Sequence, residues 1–195
     1  MRNSHILDIA HTLINASIHK DDVVIDMTMG NGYDTLFLAN LSNHVYSFDI
    51  QQQALINTES LLKKHGITHV HLIHDSHENV LSYVDQFKYV VYNLGYLPHG
   101  DKTITTRKES TIESLKIVMK HLEVSGIIWM VIYPGHPLGY EESIAIEKYL
   151  ETIAPENYKV VKTYLPYQNN FPAYLITIQN KSNLKITPLK RYLTQ

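Results

Sequence analysis

Cysteine is absent from all 195 residues. That single absence removes disulfides, thiolate metal sites, iron–sulfur clusters and a cysteine nucleophile together. Long apolar runs are missing as well, since no stretch approaches the roughly eighteen residues of a membrane span. The opening segment MRNSHILDIAHTL carries charge without a signal-type apolar run, so the sequence predicts a cytoplasmic protein with no membrane attachment. No internal linker, repeat or low-complexity tract interrupts the chain, and its length suits one α/β domain over residues 1–195.

Acids are missing from one end. Residues 157–195 carry Lys159, Lys162, Lys181, Lys185, Lys190 and Arg191 and no Asp or Glu. With a net charge of −2 for the whole, the last fifth is +6 and the remainder −8. A basic C-terminal hairpin and tail is the part suited to a polyanion.

What is present is a repeating strand–loop–helix pattern. Ile6, Ile9, Ala10, Leu13 and Ile14 recur at helical spacing and predict a leading amphipathic helix over about 3–18. The period then changes to a short β-branched run at 23–26 and further strand-type runs at 45–49, 70–74, 89–92 and 127–133, separated by helical stretches near 34–41, 52–65, 109–121 and 141–151. Such alternation means a parallel sheet covered on both faces. Residues 158–164 and 173–178 are two further strands with no room between them for a crossover helix, so they pair as an antiparallel hairpin. The expected fold is a Rossmann-like, mostly parallel seven-stranded sheet, with its ligand beyond the C-terminal strand ends.

The unusual residues cluster there. After the first strand comes Asp26-Met27-Thr28-Met29-Gly30-Asn31-Gly32-Tyr33-Asp34-Thr35, whose glycines let the backbone turn and approach a ligand ahead of a helix N-terminus. A dinucleotide loop wants a third glycine where Thr35 stands. An ordinary βα turn capped by Asp34 is the plain alternative. Asp26 would repel a pyrophosphate but suits a ligand with an amino group and a sulfonium charge, and S-adenosylmethionine (SAM) has both. Asp49 closes the next strand, at about the spacing where a carboxylate accepts from ribose hydroxyls. The third strand ends in His74-Asp75-Ser76-His77, where a polar side chain could meet an adenine ring or merely cap a turn.

The fourth strand ends in Asn93-Leu94-Gly95-Tyr96-Leu97-Pro98-His99-Gly100-Asp101. Its N-x-x-Y spacing resembles the N-P-P-Y motif of methyltransferases acting on amino groups. There the Asn oxygen and the next carbonyl hold the amine, and Tyr96 would offer a stacking face. The fifth strand runs into Tyr133-Pro134-Gly135-His136, where His136 is either a base near substrate or a histidine held by the turn. His69, His71, His74 and His77 alternate between strand faces and have no carboxylate at helical spacing, so no metal site is expected.

Together these motifs resemble a bacterial family first labelled rRNA methylase and more recently assigned as tRNA 5-aminomethyl-2-thiouridine methyltransferases. The resemblance covers nearly the whole chain. It rests on Ala10-His11, Asp26-x-Thr28-x-Gly30-Asn31-Gly32-x-Asp34-Thr35, Phe48-Asp49-Ile50-Gln51, Ser76-His77, Asn93-Leu94-Gly95-Tyr96-Leu97-Pro98, Ile104-Thr105-Thr106 and Tyr133-Pro134-Gly135-His136. Two places depart from the family pattern, both on the substrate side. Pro98-His99-Gly100-Asp101 stands for P-G-G-D, and Asn170-Phe171-Pro172-Ala173 for an N-P-P-F-type run.

The resemblance implies a class I SAM-dependent methyltransferase that methylates the aminomethyl nitrogen of a wobble uridine, with tRNA bound at its anticodon region. Gln51, Asp75, Ser76 and His77 would join the loop, Asp49 and Asn93 around the cofactor, and Tyr96, His136 and Asp101 would join Asn93 around the acceptor. The residues themselves narrow the acceptor in the same direction. Carbon 5 of a pyrimidine needs a cysteine nucleophile, and ribose methylation commonly uses a strand-four Asp where Asn93 stands. Nitrogen remains. Another RNA such as rRNA, a small amine, or a SAM-binding module without catalysis stay open, as does the oligomeric state, a homodimer included.

Overall fold

The structure, a computed structural model, describes residues 5–95, 108–168 and 171–181. Along the chain run α1 (His5–Ser17), β1 (Val23–Asp26), α2 (Tyr33–Leu41), β2 (His44–Asp49), α3 (Gln52–Lys64), β3 (Val70–His74), a 3₁₀ turn (His77–Ser82), β4 (Phe87–Leu94), α4 (Lys108–His121), β5 (Leu122–Ile132), α5 (Pro137–Leu150), β6 (Tyr158–Thr163) and β7 (Tyr174–Asn180). The strands form one sheet in the order β3-β2-β1-β4-β5-β7-β6. Neighbours are parallel from β3 through β5, while β7 runs antiparallel to both β5 and β6. This is the class I SAM-dependent methyltransferase arrangement. Strand order reverses between β1 and β4, the point at which an open sheet of this kind holds a ligand crevice beyond its carboxyl strand ends.

Side-chain alternation along each strand builds a separate apolar layer on each face of the sheet. Ile25, Val90, Tyr92, Ile128, Met130 and Ile176 join Leu115, Val118 and Ile146 of α4 and α5 on one side. Val24, Tyr89, Val91, Trp129, Val131 and Leu175 join Ile6, Ala10, Ile14 and Leu38 of α1 and α2 on the other. Ile6 and Ile14 are buried to 1% exposure or less. At roughly 1.5–3 kcal/mol for each such side chain, that stripe docks α1 firmly.

Two elements begin four or five residues before their sequence expectation, for identifiable reasons. β5 begins at Leu122 rather than near Ile127, because the register with β4 shifts between Phe87 and Tyr89 and the extra residues bulge. Ser125 takes φ 65 at the bulge, and a Cβ on Gly126 would sit 2.7 Å from the Lys88 carbonyl. α5 begins at Pro137, with His136 as its N-cap, several residues before its apolar periodicity begins. Proline supplies no N–H and its fixed φ suits the first helical position.

Candidate active site at the β1 and β4 strand ends

The β1–α2 loop is braced from below. Asp26 is fully buried, accepting from the Thr28 N–H (3.0 Å) on one oxygen and from Thr35 Oγ1 (2.6 Å) and Ser47 Oγ (3.3 Å) on the other. Burial, with the Asp34 carboxylate nearby, pushes its pKa up to about 7. The acid placed by sequence near a ligand's amino group thus reaches no solvent in this structure, and it holds the loop's shape from underneath.

Above it the loop turns on two glycines of positive φ, Gly30 (55°) and Gly32 (81°). A Cβ on Gly32 would lie 2.6 Å from Thr58 Oγ1 of α3, so no other residue fits. Gly32 occupies the N-cap of α2 with no side-chain cap, so the helix's first N–H groups receive no side-chain oxygen from that position. Asn31 is tied to α3 through Asn57 Nδ2 (2.9 Å).

Asp49, at the end of β2, is pinned at both oxygens. Oδ2 accepts from the Gly30 N–H (3.0 Å) and Oδ1 from the Gln51 N–H (2.9 Å). Burial raises its pKa, opposed by those backbone donors. Each carboxylate oxygen has two lone pairs, so this group keeps capacity for two further donors in a fixed orientation. A ribose diol supplies two.

Asn93 closes β4 on the far side of the reversal. Its N–H donates to Thr28 Oγ1 (2.8 Å) and its side-chain Nδ2 to Asp34 Oδ2 (2.7 Å). Asp34, in the first turn of α2, receives His11 Nε2 of α1 on its other oxygen (2.8 Å). Loop, β2 and β4 therefore bring Thr28, Gly30, Asp34, Asp49 and Asn93 together.

The charge of this crevice tests which ligand it fits. Besides the sealed Asp26, residues 26–35, 47–51, 74–77 and 93–95 contain Asp34, Asp49 and Asp75 and no Lys or Arg. A pyrophosphate would meet acids with no counter-charge, whereas a cationic sulfonium with an amine and a diol meets its complement. The residues present fit SAM.

Against known proteins, residues 45–179 match the family model described as "Putative rRNA methylase". The chain belongs to this family. A solved Clostridium thermocellum structure described as a "putative rRNA-methylase" is 38% identical, with a TM-score of 0.87, covering 92% of this chain and 100% of that one. A Streptococcus mutans protein described as a methyltransferase and solved in complex with SAH is 31% identical, with a TM-score of 0.84, covering 91% and 98%. The Arabidopsis thaliana protein named tRNA (mnm(5)s(2)U34)-methyltransferase, chloroplastic, is 35% identical over 157 residues, 73% of this chain and 57% of that protein. The chain thus spans little more than half of that curated relative.

Other family positions fall around the rim. Asp75 accepts from the Ser76 N–H (2.7 Å), Asn79 Nδ2 (2.9 Å) and the Tyr83 hydroxyl (3.0 Å), and Ser76 N-caps the 3₁₀ turn. His77 is buried, its Nδ1 donating to the Met27 carbonyl (3.2 Å) behind the loop, and burial lowers its pKa. The other three clustered histidines go separate ways. His69 reaches the Ala39 carbonyl, His71 stacks on Tyr46 and His74 reaches the Ile50 carbonyl. His136 Nδ1 accepts from the Gly139 N–H (3.1 Å), so its ring is engaged in the helix cap. Tyr96 and Asp101 lie outside the described residues, as do Lys185, Lys190 and Arg191.

Sequence reasoning assigned no site role to His11, Ser47 or Thr58. His11 had been visible as part of the family's Ala10-His11 pair. Ser47 and Thr58 left no signal, because a single polar residue on a strand or helix shows its partner only after folding.

Proposed function

We propose that this protein is a SAM-dependent N-methyltransferase, and that its acceptor is the 5-aminomethyl group of wobble 2-thiouridine in tRNA. The observation that carries the reading is the pinned Asn93 amide. A carboxylate only accepts, so Asp34 must face the Asn93 NH₂, and Oδ1 is left for the acceptor's N–H. The naming of the Arabidopsis relative supports the same acceptor, and the absence of cysteine from the chain removes pyrimidine C5 methylation.

Asp49 would hold the ribose diol of the cofactor and the α2 N-terminus would face its carboxylate end. The bound group supplies an electrophilic methyl on a sulfonium. An alkylamine of pKa roughly 10 reaches the site as ammonium and must first lose a proton to solvent, a loss favoured by transfer into a partly closed pocket. Asn93 Oδ1 and the backbone carbonyl after it then aim the nitrogen lone pair. Transfer would form the N–C bond as the sulfonium C–S bond breaks, leaving SAH, and the product, again an amine of pKa roughly 10, would remain a methylammonium, so that one proton is released in all.

An RNA acceptor also suits the rim. β7 begins beside the end of β5, since Tyr174 pairs with Ile132; Tyr164, Tyr167 and Phe171 are exposed, and Phe171 meets the Tyr140 ring edge-on with centroids 5.8 Å apart. Exposed aromatic rings are stacking platforms for unpaired bases.

The test is methyl transfer from labelled SAM to bulk tRNA of cells lacking the enzyme, with mass spectrometry of the nucleosides. One nucleoside, the 5-aminomethyl-2-thiouridine, should gain one methyl. Label appearing in rRNA or in a small amine instead would replace the acceptor, and no transfer with intact SAM binding would make the protein a binding module. Asn93→Ala should keep SAM affinity and slow single turnover by about a hundredfold.

A further inference from the structure

We infer that α1 is part of the acceptor site, and that His11 and Asp34 act as positioning residues which fix the orientation of the Asn93 side chain. The inference rests on the proposed role of Asn93 and extends it to two groups that need not touch either substrate. Three elements distant in sequence meet in one chain of hydrogen bonds. His11 Nε2 of α1 donates to Asp34 Oδ1 (2.8 Å), and Asp34 Oδ2 accepts from Asn93 Nδ2 (2.7 Å).

The physical need is specific. A primary amide has nearly the same shape after a half-turn about its last torsion, so packing alone does not decide whether oxygen or nitrogen faces an incoming amine. Asp34 decides it, because a carboxylate opposite the amide oxygen would be repelled and opposite the NH₂ is bonded. Asp34 in turn could rotate or exchange its partner for water. Its side chain is only 10% exposed, and His11 occupies its second oxygen.

His11 is itself held. Its ring stacks on Phe37 with centroids 4.2 Å apart, and Ile6, Ala10 and Ile14 anchor the helix that carries it. Asn93 cannot swing away as a whole, because its backbone N–H is bonded to Thr28 Oγ1. Every rotation that would turn Oδ1 away from the site breaks one of these contacts. Sequence assigned Asp34 to the cofactor. The geometry points to the acceptor.

Two readouts test the relay. In ¹H–¹⁵N spectra of the full chain, the Asn93 side-chain pair is assigned by its loss in Asn93→Ala. It should shift and broaden in His11→Ala, and return in His11→Gln, whose amide N–H can replace the imidazole. In single-turnover transfer at saturating SAM and RNA, Asp34→Asn and His11→Ala should each be slower by at least about tenfold, with the SAM dissociation constant by calorimetry within about twofold of wild type. The double variant should be no slower than Asp34→Asn alone, as members of one chain are not additive.

Asn93 resonances unchanged in His11→Ala and Asp34→Asn would overturn the inference. So would an Asp34→Asn variant that loses SAM affinity tenfold but turns over normally at saturation, which would return Asp34 to the cofactor. If wild type transfers no methyl to the amine while the Asn93 resonances respond as stated, the relay stands and the amine reading fails.

Discussion

Asp49 shows how a residue can be structural and still keep its binding capacity. Its oxygens hold the Gly30 and Gln51 N–H groups, which fixes the direction of the lone pairs that remain. Asp49→Ala should therefore weaken SAM binding by about 1.5–3 kcal/mol, the range for hydrogen bonds to a charged group. Calorimetric titration checks this, and RNA affinity measured in parallel should stay at the wild-type value. An unchanged SAM affinity would remove Asp49 from the site. Both this residue and Asn93 were legible in the sequence as strand-end residues, because a polar residue closing a strand-type run is a local pattern. What holds Asn93 was not, since Thr28 and Asp34 reach it, and His11 reaches Asp34, only across folded elements.

Among elements, Gly32 of the β1–α2 turn and Gly66 at the end of α3 both take positive φ but have different surroundings. Gly66 follows α3 at φ 70, and its N–H and that of Ile67 return to the Lys63 and Leu62 carbonyls as a Schellman cap, with open space where a Cβ would go. Gly32 has the same hand of backbone but abuts Thr58. Gly66→Ala should cost about 1 kcal/mol for the backbone conformation alone. Gly32→Ala should cost more, about 2–3 kcal/mol, with added loss of SAM affinity because the loop must move. Urea unfolding of both variants reads the difference. Equal losses would mean that Thr58 yields easily and that the α2–α3 contact does not set the loop.

For the whole molecule, the buried Asp26 couples stability to pH. Its pKa rises from 3.8 to about 7 on folding, so the folded state keeps the proton that the unfolded state releases. Its contribution is favourable below about 4, declines as pH rises toward about 7, and is then constant. His77, lowered by burial, acts oppositely on the acid side, so the whole-protein curve mixes the two. The difference between wild type and Asp26→Asn isolates the acid. The variant should gain stability relative to wild type as pH goes from 5 to 7, measured by denaturant midpoints, and a pH-independent difference would mean Asp26 ionises normally in the fold.

Charge at the C-terminal end is the other whole-molecule property. Among the described basic residues, Lys162 pairs with Glu147 (2.6 Å) and lies over the Tyr174 ring, and Lys181 bonds the Pro155 carbonyl. If the proposed RNA acceptor docks on this end, replacing Lys181, Lys185, Lys190 and Arg191 together should weaken RNA binding and flatten its salt dependence, while SAM affinity is retained. A filter-binding series with an unaltered slope would place RNA elsewhere on the surface.

The sequence by itself determined the alternating strands and helices, the antiparallel hairpin and the loops that rim the crevice, because hydrophobic period and turn chemistry are properties of neighbours along the chain. Its bulge in β5 and the start of α5 at Pro137 escaped, since the first comes from register against β4 and the second from a cap. The tertiary structure alone decided what each polar residue faces. Asp26 and Asp49 are both acids at strand ends, yet one is sealed between Thr35 and Ser47 and the other opens to the crevice. His11 and His136 are both histidines in family motifs, yet one reaches Asp34 and the other caps a helix. Burial and hydrogen-bond partners depend on residues tens of positions away, and only the folded chain brings those together.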